Sequence, residues 1–73
     1  MNKVLIGQRI KRLRENSHQT KRYVAKQLGI SYSALCQIEW GKLIPGDDLK
    51  IRIAKYFSVT VGDLFYAEDY NET

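Results

Sequence analysis

The sequence predicts an all-α fold, a compact bundle of five short helices. Three observations carry this expectation. Apolar residues recur at helical spacing through most of the chain, and strand-like alternation is absent. A Ser, Thr or Asp opens each of the last four segments, where a helix N-terminus favours a side-chain acceptor. Gly29 and Gly41 stand where two of the segments must stop.

Each element follows from its own residues. Ile6, Ile10 and Leu13 fall at i, i+4 and i+7, giving a first helix over about 4–16. The polar run ENSHQT interrupts it. Thr20 caps a second helix, 21–28, which Gly29 ends because glycine tolerates the left-handed conformation common past a helix. Ser31 caps a third, about 32–40, closed by Gly41. KLIPGDD is a loop. Leu49, Ile53, Ala54 and Phe57 mark a fourth helix with Asp47 or Asp48 at its start. Thr60 caps a short fifth, VGDLF, and Asp63 three residues on approximates a reciprocal cap. Residues 1–66 read as one domain, and 67–73 as a short acidic tail that frays.

Bulk properties narrow the function. A chain of 73 residues buries only about 60% of its unfolded surface, which leaves a small core. One proline and five glycines argue against a linker or a disordered chain. Cys36 is the only cysteine, so no internal disulfide forms, and one His with one Cys makes no four-ligand zinc site. The opening MNKVLIGQRIKRLREN has no long apolar run, so neither a signal peptide nor a membrane span is expected, and a cytoplasmic location is. No carboxylate pair, Cys–His arrangement or phosphate-cradling loop supports an enzyme. No cofactor, metal or small-molecule ligand is called for.

Charge is unevenly spread. Nine of the twelve Lys and Arg lie in residues 1–42 against only Glu15 and Glu39, a balance of +7. Residues 43–73 hold three bases and six acids, a balance of −3. One half can face a polyanion while the other faces away. A solvated basic surface fits the charge equally well, so the motifs must decide.

The segment from Lys21 to Trp40 has what two helices joined by a tight turn need. Ala25 is small where the backbones cross, and Gly29 frees the turn. Val24, Leu28, Ile30, Leu35 and Ile38 plug the junction. Here the sequence resembles the helix-turn-helix of the phage repressor/Cro-like, or Xre-type, family of bacterial transcription regulators. The motif stands as KRYVAKQLGISYSALCQIEWG. The resemblance extends from IGQRIKRLREN through IPGDDLKIRIAKYFSVTVGDLF, roughly Ile6 to Phe65. It implies a lambda-repressor-like bundle whose second and third helices form the helix-turn-helix.

The resemblance also implies double-stranded DNA as partner, with the third helix in the major groove and its N-terminal residues nearest the bases. On a wheel of about 100° per residue, Leu35 and Ile38 define the inner face. Ser33, Gln37 and Trp40 cluster opposite, with Ala34 and Cys36 flanking them and Tyr32 at the N-terminal end. Base contacts are expected from Tyr32, Ser33, Ala34 and Gln37. The Gln37 amide both donates and accepts, matching the N6/N7 edge of adenine, and Ala34 suits a thymine methyl. Tyr32 either touches DNA or leans as a half-buried aromatic on the first helix. Phosphate contacts are expected from Thr20, Lys21, Ser31, Trp40 and Lys42. Relatives usually carry glutamine where Lys21 stands and a polar or basic residue where Trp40 stands. Trp40 can instead pack on Leu43 and Ile44 or on a partner subunit. Cys36 is a small filler or a redox switch on the DNA face. His18 has no catalytic companion.

Glu39 lies near the inner face and near a helix C-terminus, where negative charge is disfavoured. It needs a cation, and Arg14 flanks the apolar stripe of the first helix. The family pairs an arginine there with this glutamate, so an Arg14–Glu39 ion pair is expected. Leu43, Ile44, Val59, Phe65 and Tyr66, with Tyr70, are more apolar than a free edge requires. Family members commonly dimerise through the region after the third helix, so with these residues the resemblance implies a homodimer reading a palindromic operator with half-sites about 10 bp apart or a multiple of that. The function expected is a sequence-specific regulator on a bacterial or phage nucleoid. The resemblance implies a repressor more than an activator, since relatives that activate do so through an acidic patch on the second helix, which here carries Lys21, Arg22 and Lys26 and no acid. The alternatives are an autoregulatory controller of a restriction-modification or mobile-element system, and an interaction module such as an antitoxin or partner-binding subunit.

Overall fold

Helix α1 (Lys3–Asn16) begins where the Asn2 side chain accepts from the Leu5 N–H at 3.0 Å. In the computed structural model, which describes residues 2–67, it is followed by α2 (Lys21–Leu28), α3 (Tyr32–Glu39) and α4 (Asp47–Tyr56). A fifth segment, α5 (Gly62–Tyr66), is wound as a π-helix. Among the described residues there is no strand, so the all-α expectation holds. The expected tail lies outside the described residues beyond Ala67, and Tyr70 with it.

The caps form with the residues named. The Thr20 hydroxyl accepts from Tyr23 N–H at 3.1 Å, and Ser31 accepts from Ala34 N–H at 3.0 Å. Thr60 accepts from Asp63 N–H at 2.9 Å, the first half of a reciprocal cap. Helix α3 stops one residue earlier than expected, with Trp40 as its C-cap. Helix α4 starts at Asp47 without a side-chain cap, its two acids sitting in the first turn where the helix dipole favours them.

Four helices end by one device. The N–H groups of Gln19, Ile30, Lys42 and Val59 bond the carbonyls of Arg14, Ala25, Gln37 and Ala54 at 2.9–3.2 Å, each reaching back five residues. The residue before each is left-handed: His18, Gly29, Gly41 and Ser58, with φ between 57° and 78°. Glycine takes that conformation freely in the two closures that bound α3's approach. His18 and Ser58 adopt it against a Cβ penalty.

The core gathers Ile6 and Ile10 of α1, Val24, Ala25 and Leu28 of α2, and Leu35 and Ile38 of α3, closed by Ile53, Leu64 and Phe65. Burying each large side chain contributes about 1.5–3 kcal/mol. The tightest approach is α1 against α3. A Cβ on Gly7 would stand 2.5 Å from the Ile38 carbonyl oxygen and 2.7 Å from that of Glu39. Only a hydrogen fits there. Sequence reading missed Gly7, although a glycine inside an apolar helical stripe marks such a crossing.

Candidate nucleic-acid interface

Helix α3 is fixed from behind. The Arg14 Nε donates to Glu39 Oε2 at 2.7 Å and its Nη2 to Oε1 at 3.0 Å, a two-pronged, buried ion pair. The hydrogen bond to Glu39 raises the Arg14 pKa further, so the charge is permanent. A third prong, Nη1, donates to the Gln19 carbonyl at 3.0 Å, and the Tyr56 hydroxyl bonds the Gln19 side chain. One guanidinium thereby sets both the angle of α3 and the loop that delivers Thr20. Behind α2, Arg52 Nη1 donates to the Leu28 carbonyl, closing that helix from α4.

The opposite face of α3 is open. Ser33 and Gln37 are exposed one turn apart, and the Gln37 Nε2 donates to Ser33 Oγ at 3.2 Å. Ala34 is half-buried between strip and core. Ser31 and Thr20 are exposed, each occupied as a cap acceptor with its hydroxyl proton available. Lys42 is exposed just past the helix, and Trp40 is 60% exposed. The structure therefore gathers Ser33, Gln37, Trp40 and Lys42 on or beside one strip, with Thr20, Lys21 and Ser31 at the adjoining helix starts.

Two placements differ from expectation. Cys36 does not flank the strip. It is 4% exposed. The wheel took its inner face from Leu35 and Ile38 alone, but α3 packs on both α1 and α2, which widens the buried arc to include Glu39 and Cys36. A redox switch on an outer face is thereby excluded. Phe65 is also displaced: it is 2% exposed and belongs to the core, packed there with Leu64 beside it. Of its proposed companions, Leu43 and Tyr66 are exposed while Ile44 and Val59 are half-buried. Tyr66 also accepts from the Lys50 ammonium at 3.0 Å, and that lysine is itself buried, 3.8 Å from Asp47.

Tyr32 is 44% exposed and faces Arg22 of α2. The Arg22 guanidinium stands 4.8 Å over its ring. The neighbouring Cys36 thiol raises the Tyr32 hydroxyl pKa. At the C-cap of α3, the Lys21 ammonium stands 5.8 Å from the Trp40 ring centre. Sequence reading had no signal for Arg22 except its place in the first turn of α2.

Two short helices crossing through a glycine turn, the second with a buried side and a polar outer strip, define a helix-turn-helix protein. Fifty residues, 68% of the chain, are 42% identical to an uncharacterized HTH-type transcriptional regulator of Methanocaldococcus jannaschii, of which they cover 76%. The chain belongs to the HTH-type transcriptional regulators. No family model and no solved structure matches it. No helix among the described residues is long and apolar enough to cross a membrane.

Proposed function

We propose that the protein is a sequence-specific DNA-binding regulator of the Cro-like, Xre type, a repressor that inserts α3 into the major groove. The observation that carries this reading is the exposed Ser33–Gln37 pair on a helix locked from behind by Arg14–Glu39 and Gly7. The hydrogen bond to Ser33 uses one Nε2 proton. The other proton and the amide oxygen remain for the N7 and N6 of adenine. Fixing the rotamer before binding lowers the entropy cost of the contact. Thr20, Lys21, Ser31, Trp40 and Lys42 meet phosphate around it, where backbone contacts set register and base contacts set sequence. A homodimer on a palindrome, formed with Leu43, Ile44 and Tyr66, completes the reading, with the acidic C-terminal half off the DNA.

The test is selection of bound sequences from random duplexes with wild type, Gln37→Ala and Lys42→Ala. Gln37→Ala relaxes preference at one base position, while Lys42→Ala weakens all sequences alike and lowers the salt slope by about one unit. Uniform loss in both variants removes the assigned roles.

A further inference from the structure

Both cations in the first turn of α2 are paired with aromatic rings of α3, and they diverge. Arg22 reaches Tyr32, the first residue of α3, and Lys21 reaches Trp40, its C-cap. An eight-residue helix is about 12 Å long, close to the width of the major groove. The two rings thus belong to residues at opposite ends of a helix about as long as the groove is wide.

We propose that these pairs are two phosphate clamps, in which the Tyr32 ring is a platform that orients the Arg22 guanidinium and Trp40 does the same for Lys21. The inference rests on the DNA-binding reading above and adds Arg22 as a contact, with Tyr32 as a positioning residue rather than a reader of bases. The choice of partner is the physical point. A carboxylate would hold a cation but neutralise it. A ring face holds it through its quadrupole and leaves the full charge for a ligand. A guanidinium held over a ring face keeps its planar fork of donors for a ligand, and that fork matches phosphate bidentately. Among the described residues Arg22 makes no ion pair or hydrogen bond, so those donors are unspent. Phosphate rather than a base edge is the target because Arg22 comes from α2. In this motif the first helix crosses the backbone while the second enters the groove.

The experiment measures binding to the selected duplex and to an unrelated duplex across a salt series. The proteins are wild type, Tyr32→Phe, Tyr32→Leu, Arg22→Lys, Arg22→Ala and the double variant Tyr32→Leu/Arg22→Ala. Both sites are exposed, and thermal melting checks that each variant is folded. Tyr32→Phe keeps the ring and binds as wild type. Tyr32→Leu weakens both duplexes roughly two- to fivefold. Arg22→Ala weakens both further and lowers the salt slope by about one unit. Arg22→Lys keeps the slope but loses part of the affinity. The double variant binds no worse than Arg22→Ala.

The proposal is overturned if Tyr32→Phe is as weak as Tyr32→Leu, which makes the hydroxyl the contact. It is overturned if the two losses simply add, or if loss is confined to one base position of the selected duplex. Wild type that binds DNA with Arg22→Ala unchanged sinks this inference alone. Wild type that binds neither duplex sinks the DNA-binding reading with it.

Discussion

Helix α3 is held along two seams of opposite kind. Against α1 the seam is closed: Gly7 lies beneath the Ile38 and Glu39 carbonyls, and Arg14 and Glu39 form a buried two-pronged pair. Against the first turn of α2 its outer edge is open: two cations lie over two exposed rings, and among the described residues neither cation forms a salt bridge. The closed seam tolerates no change in distance, so it sets where the helix sits. The open seam spends no charge, so it governs what the helix can hold. Stability and ligand affinity should therefore separate along this division.

The largest effect is expected from Arg14→Ala, which strands a buried carboxylate and costs about 3–5 kcal/mol in urea denaturation. The double variant Arg14→Met/Glu39→Leu sharpens the point, because removing both charges regains most of that loss. If the single variant melts like wild type, the closed seam is not what fixes α3. Gly7→Ala comes next. Its methyl must push two backbone carbonyls away, at about 1–3 kcal/mol, and the displaced helix loses affinity for every duplex.

A smaller effect of opposite sign is expected outside both seams. His18→Gly and Ser58→Gly relieve left-handed backbone, offset in part by the entropy glycine loses on folding, and each stabilises by about 0.5 kcal/mol. A fall in midpoint denaturant for either would show that the side chain contributes more than its backbone costs. Smallest of all is the change in stability for Arg22→Ala or Lys21→Ala, within about 0.5 kcal/mol although DNA binding weakens. Destabilisation by more than that would merge the two seams into one structural unit.

How much of this was legible in the sequence depended on range. Thr20, Ser31 and Thr60 were readable as caps because an N-cap is a contact over three residues. Gly29 and Gly41 were readable as stops for the same local reason. His18 and Ser58, which end helices in the same conformation, were invisible because nothing in a polar residue announces positive φ. Arg14 and Glu39 are 25 positions apart, and they were paired through a family resemblance together with the rule that a buried acid needs a cation. Cys36 was misplaced for a geometric reason: a helical wheel shows one core direction, whereas α3 has neighbours on two sides. Phe65 was misplaced because an apolar residue fits a dimer edge and a core equally well in the sequence, and only the packing puts it in the core. Arg22 over Tyr32 could not be read at all, since it depends on the crossing of α2 and α3 in space.

The hydrogen-bonded pair on the outer strip has a further consequence. The side chains of Ser33 and Gln37 bond each other and are exposed, outside the buried core. They form a replaceable cassette: a library varying these two positions would sample new targets while every member inherits the same chassis.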